Sequence, residues 1–133
     1  IKFKLYVNGE FLYLYTADGI VVSTPTGSTA YNLSCGGPVV EPTAKLFLVT
    51  PIAPHSLNNR SLILSADDKI ELELLGSEKD PEDQVEYICG YDSDTSVILY
   101  PGDRIEIVRA PQVTRILKLS KISFLETLRT KMS

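Results

Sequence analysis

Hydrophobic and polar positions alternate along most of this chain. Ile1 to Val7 sets Lys2, Lys4 and Tyr6 against Phe3, Leu5 and Val7, the period of a half-buried strand. Asn8-Gly9 follows at once, the strongest short signal for a type I′ hairpin turn, and Phe11 to Tyr15 reads as the return strand. Further strand-like runs are 20–23, 46–50, 62–65, 70–75, 85–89, 96–100, 104–108 and 114–119. About ten short strands so closely spaced predict one all-β domain, a distorted β-sandwich rather than an alternating α/β sheet. Two segments depart from the pattern and read as helices. The first is Thr29 to Cys35, with Ser28 as N-cap and Gly36 as the stop; the second is Ser123 to Lys131, with Phe124, Leu125 and Leu128 on one face. Gly76 to Gln84 is acidic and reads as a solvated loop, Pro101-Gly102-Asp103 as a turn.

Composition narrows the function more than the fold. A chain of 133 residues with 44% hydrophobic residues suits one globular domain with a real core. The net charge of −4 argues against a nucleic-acid partner, which calls for a basic stripe that displaces counterions. No cluster of Lys or Arg suggests an anionic membrane surface, and no apolar run approaches a membrane span. Cys35 and Cys89 are too few for a disulfide scaffold and read as reduced thiols of a cytoplasmic protein. With His55 they fall short of a zinc site, which takes about four ligands.

The candidate chemistry is concentrated between Asp18 and Pro38. An apolar strand, Ile20 to Val22, runs into Ser23-Thr-Pro-Thr-Gly-Ser-Thr29, then Ala30-Tyr31, then a short helical segment closed by Gly36-Gly37-Pro38. Backbone N–H groups near Gly27 to Ala30, several hydroxyls and an aromatic ring at one helix N-terminus suit the polar parts of a nucleotide. The turn is not a P-loop, because it lacks the Gly-Lys-Ser/Thr ending. Read without a ligand, the same hydroxyls satisfy backbone groups of the turn and helix cap. Tyr31 offers a π-face to a flat ring and Ser34 a hydroxyl to a base edge. Asn32 and Leu33 read as scaffold. Asp67-Asp68 and Glu71/Glu73 read as turn and outward strand positions, not as a carboxylate dyad.

Two blocks resemble the NAD kinase family. The first is Asp18-Gly19, three apolar residues and Ser23-Thr-Pro-Thr-Gly-Ser-Thr-Ala-Tyr31; the second is Thr50-Pro-Ile-Ala-Pro-His-Ser-Leu57. The resemblance implies NAD-binding roles for Thr29, Ala30, Tyr31, Asn32, Leu33 and Ser34, and for Asp18 at the nicotinamide end. A carboxylate there accepts hydrogen bonds from a carboxamide or ribose and sits favourably beside a cationic ring. Gly27 and His55 become structural or interface residues. Thr16 stands where the family often has Arg. Asp92-Ser93-Asp94 stands where it often has Asp-Gly-Gln, so any ligand contact from Asp94 is that of an acceptor alone.

The resemblance further implies that residues 1–133 form the carboxy-terminal NAD-binding and oligomerisation domain of a larger enzyme. The Gly-Gly-Asp-Gly motif of the family's amino-terminal α/β domain, whose Asp activates the adenosine 2′-hydroxyl, is absent; the only Gly-Gly here is Gly36-Gly37. No catalytic residue is therefore expected in this chain. The intact enzyme is expected to convert NAD to NADP with ATP or polyphosphate and magnesium, as a cytoplasmic homodimer or homotetramer. Outward apolar strand positions such as Tyr13 and Tyr15 fit that assembly. The alternatives are a non-catalytic dinucleotide sensor or assembly module, and a lipid kinase of the same superfamily.

Overall fold

The computed structural model describes residues 1–55, 60–76, 85–91, 94–115, 117 and 119–132. Among the described residues nine strands form in chain order: β1 (Lys2–Val7), β2 (Glu10–Thr16), β3 (Gly19–Ser23), β4 (Leu46–Ile52), β5 (Leu62–Ser65), β6 (Ile70–Leu75), β7 (Tyr87–Tyr91), β8 (Thr95–Leu99) and β9 (Arg104–Ile107). They make a four-stranded sheet ordered β2-β1-β6-β9, a three-stranded sheet ordered β3-β4-β5, and the hairpin β7-β8. Every pairing is antiparallel.

The alternation along β1 and β6 sets the first sheet. Phe3 and Leu5 point inward opposite Leu74 and Leu72, while Glu71 and Glu73 point out. The inward side chains meet Phe47 and Val49 of the second sheet and Tyr87 of the hairpin in one cluster, so the architecture is a distorted sandwich. Fully burying a side chain such as Phe3 or Leu5 contributes about 1.5–3 kcal/mol each. The Tyr87 hydroxyl donates to the Leu75 carbonyl, satisfying the polar end of a buried ring. Asn8 and Gly9 both take positive φ, 52° and 83°, as a type I′ turn demands.

Three expectations are corrected. Tyr13 and Tyr15 do not face outward: the register sets them opposite Leu5 and Phe3, so Tyr15 is buried and Tyr13 packs on the core. Leu12 and Leu14 occupy the exposed face instead. The described residues of 114–119 form no strand, and those between β9 and the carboxy-terminal helix are exposed. The helix expected from Thr29 to Cys35 is divided into a 3-10 turn, Thr26–Thr29, and a single α-turn, α1 (Tyr31–Ser34). Ala30, at φ −97° and ψ −128°, breaks the two apart, and Ser28 lies inside the first rather than capping it. The last helix, α2 (Phe124–Met132), falls where expected and is capped by Ser123, whose Oγ accepts from the Glu126 N–H at 3.1 Å.

β4 positions everything else. Its run Leu46–Ile52 is buried on both faces: Phe47 and Val49 face the sandwich core, Leu48 and Thr50 the opposite side. That second face is where the turn and α1 lie, closed down by a hydrogen bond from Thr50 to Asn32.

Candidate functional site

The site is built from the bottom of the turn upward. Ser28 is fully buried; its hydroxyl donates to the Pro25 carbonyl at 2.7 Å and accepts from the Val40 N–H at 3.1 Å. Asn32 is equally buried. Its Nδ2 donates to the carbonyls of Ser28 at 3.2 Å and Pro38 at 3.0 Å, and its Oδ1 accepts from Thr50 Oγ1 at 2.7 Å. One carboxamide thus ties the 3-10 turn, α1, the exit loop and β4 together. Thr50 also shares a hydrogen bond of 2.8 Å with Ser61. Gly37 leaves room for this arrangement, because a Cβ there would stand 2.2 Å from Asn32 Oδ1. Gly36, at φ 81°, ends α1 in the left-handed conformation.

The surface of the turn differs from the sequence expectation in one respect. The amides of Gly27, Ser28 and Ala30 are engaged: they donate to Thr24 Oγ1, Pro25 O and Gly27 O within the turn. A single-turn helix also carries little macrodipole. What the turn presents is side chains. The Tyr31 ring is 60% exposed, Ser34 and Thr26 are exposed, and Thr29 is partly so. Residues 23–34 contain no charged side chain at all. Ser23 Oγ is buried at the entrance of the turn without a partner.

Asp18 and His55 make a second cluster, at the opposite end of β3. The five-residue strand spans about 17 Å between them and the turn. Asp18 Oδ1 lies 3.5 Å from His55 Nε2, and both side chains are mostly exposed. The backbone fixes the pair: the Asp18 N–H donates to Ile52 O at 2.9 Å and the His55 N–H to Thr16 O at 2.9 Å. Between Ile52 and His55, Ala53 adopts φ 45°, a left-handed conformation uncommon for a residue with a side chain. Thr16 therefore joins this cluster through its carbonyl. Asp94 lies apart, exposed at the tip of the β7-β8 hairpin, and no hydrogen bond links it to either cluster. Asp92 and Ser93 lie outside the described residues, as do Ser56 and Leu57 of the second block.

Sequence reading took Asn32 as scaffold, as its buried carboxamide is, without telling which groups that carboxamide ties together, and it missed the approach of His55 to Asp18. The first had a signal, a buried-type polar residue between two turn glycines and an apolar strand. The second had none, since it depends on which end of β4 meets β3. Among the described residues no group of three His, Cys, Asp or Glu side chains lies close enough to hold a metal ion. No helix of the described residues is long and apolar enough to cross a membrane.

This sandwich domain carries an uncharged, hydroxyl-rich turn clamped against β4, with a carboxylate at the far end of β3. Comparison with known proteins gives it a family. Residues 1–119 match the ATP-NAD kinase C-terminal domain, and the chain belongs to that family. It is 48% identical to an NAD kinase of Lachnospira eligens over 99% of its own length and 47% of that protein. It is 49% identical to an NAD kinase of Agathobacter rectalis, covering 99% of its own length and 46% of the relative. The chain thus spans about half the length of these relatives. In three dimensions it resembles the crystal structure of yeast NADH kinase complexed with NADH, at 35% identity and TM-score 0.76, covering 86% of this chain and 32% of that one. It also resembles an NAD kinase from Archaeoglobus fulgidus in complex with ATP, at 32% identity and TM-score 0.70, covering 84% and 40%.

Proposed function

We propose that this chain is the substrate-gripping, carboxy-terminal domain of an NAD kinase, which phosphorylates the adenosine 2′-hydroxyl of NAD to give NADP. The observation that carries the reading, beside the family membership, is the clamped uncharged turn with Asp18 at the far end of β3. A dinucleotide has two heads joined by a charged diphosphate. Hydroxyls at Thr29 and Ser34 and the ring of Tyr31 suit a base and its ribose, with Ala30 and Leu33 shaping the same surface. Asp18 suits the carboxamide and the positive ring of the nicotinamide. Asn32 serves through its backbone and through the clamp, because its carboxamide is engaged inside the protein. A division of labour with the rest of a longer polypeptide fits the share of the relatives' length that the chain matches. Positioning of this kind is a large share of phosphoryl-transfer catalysis.

ATP or polyphosphate is the donor in this reading, with magnesium on its phosphates; no step is routed through that ion here. The working protein is read as a cytoplasmic homodimer or homotetramer assembled through this domain, in keeping with the unpaired Cys35 and Cys89. Asp94 at its hairpin tip and Thr16 beside Asp18 are the secondary contact candidates.

The test is NADP formation from NAD and Mg-ATP by the parent protein and by its Asp18→Asn and Tyr31→Ala variants. A hydrogen bond to a charged group contributes about 1.5–3 kcal/mol, so Asp18→Asn is expected to raise KM for NAD about 10- to 150-fold, with a smaller change in kcat. A parent that binds NAD yet makes no NADP with ATP or polyphosphate contradicts the kinase reading and favours a sensor.

A further inference from the structure

The pair of Asp18 and His55 is held by the backbone around it rather than by its own attraction. Asp18 Oδ1 lies 3.5 Å from His55 Nε2, with the two side chains 66% and 61% exposed. An ion pair so open to water adds little stability. The backbone nevertheless fixes both partners. The Asp18 N–H donates to Ile52 O and the His55 N–H to Thr16 O, each at 2.9 Å. Gly19 packs so closely on β4 that a Cβ there would stand 3.0 Å from Ile52 Cδ1. Ala53, at φ 45°, turns the chain from β4 towards His55, and backbone strain of this kind gathers at functional sites. Among the described residues the charged side chain paired with His55 is that of Asp18; Thr16 and Ile52 meet the pair through uncharged backbone groups. The neighbouring strand β1 brings cations to this end of the sheet, Lys2 opposite Thr16 and the Ile1 amino group on the Ala17 carbonyl at 2.7 Å.

We propose that His55 sets how strongly the site favours the oxidised dinucleotide over the reduced one. This rests on the reading that Asp18 meets the nicotinamide. The oxidised ring carries a positive charge and the reduced ring carries none. A neutral His55 leaves the Asp18 carboxylate to attract the cationic ring. A protonated His55 answers that carboxylate first and repels the cationic ring as well. The reduced ring has no charge to be attracted or repelled, so NADH binds nearly alike in the two states. His55 thus acts through Asp18 and determines specificity without taking part in phosphoryl transfer.

The experiment measures dissociation constants of NAD and of NADH, without a phosphoryl donor, at about pH 8 and about pH 6, the range in which a histidine takes up its proton. The proteins are the parent and its His55→Gln, His55→Lys and Asp18→Asn variants, with NADP formation assayed alongside. In the parent the preference for NAD, taken as the ratio of the two constants, is expected to fall about three- to tenfold from the higher pH to the lower. His55→Gln is expected to keep the high ratio at both, and His55→Lys and Asp18→Asn the low ratio at both. These variants also separate the imidazole from the Lys2 and Ile1 cations, which they leave in place. A parent ratio that does not change with pH overturns the proposal, as does an equal fall in His55→Gln. NADH that binds at neither pH overturns it too, because the choice then rests on something else. A flat ratio in a parent that makes NADP leaves the kinase reading intact. The expected ratios in a parent that makes no NADP overturn that reading alone.

Discussion

Asn32 and Gly37 can be tested as a unit. Asn32→Ala removes the donor to the Ser28 and Pro38 carbonyls, while Thr50 Oγ1 keeps Ser61 as a partner. A buried carbonyl (Ser28) and a part-buried one (Pro38) left unpaired cost about 1–3 kcal/mol each, less where water reaches them, so a loss of about 2–4 kcal/mol is expected. Gly37→Ala breaks the same bonds from the other side: its Cβ would stand 2.2 Å from Oδ1, 2.5 Å from Cγ and 2.6 Å from Nδ2, and the carboxamide has to leave. In the double variant that obstacle is gone and the new methyl fills part of the vacated space. The two losses therefore should not add; the pair is expected to be about 1–3 kcal/mol more stable than the sum of the singles. Urea unfolding of the four proteins measures this. Additivity within about 0.5 kcal/mol, or a cost below about 1 kcal/mol for Asn32→Ala, refutes the clamp.

The remaining predictions concern the sheet and the second cluster. Hydrogen bonds from Tyr6 and then Arg104 hold the Glu73 carboxyl below its ordinary range. Because the folded-state value is depressed, the stability linked to it is present above the unfolded pKa and is lost as pH falls through the folded one. Tyr6→Phe removes the larger cause, so NMR titration should find Glu73 closer to its ordinary value, with acid unfolding beginning at higher pH. Gly9→Ala places a side chain at φ 83° in the type I′ turn, and a loss of about 1 kcal/mol is expected in thermal unfolding. His55→Ala removes an exposed partner of Asp18 and should change stability by less than about 0.5 kcal/mol in the same assay.

Much of the fold was legible because alternation and turn chemistry agree. Phe3, Leu5, Ile70, Leu72 and Leu74 are inward on the strands their pattern defines, and Asn8-Gly9 makes the turn its composition demands. What failed depended on partners. The apolar run 114–119 has the local pattern of a strand, but its described residues pair with none. Tyr13 and Tyr15 were read as outward because the face of β2 is fixed only by its register against β1. At the site the motif was plain, but its interior was not. Spacing alone does not tell that Ala30 interrupts the helix, that the amides of Gly27, Ser28 and Ala30 donate within the turn, or that the Asn32 carboxamide binds protein. Those facts follow from where β4 passes beneath the turn.

The most direct test is the structure of the parent protein with NAD bound. The expected result has Thr29, Tyr31 and Ser34 touching one head of the dinucleotide and an Asp18 carboxylate at the nicotinamide. The Asn32 carboxamide is expected to stay on Ser28, Pro38 and Thr50. NAD bound elsewhere, with none of these side chains in contact, would contradict the assignment of this domain as the substrate grip.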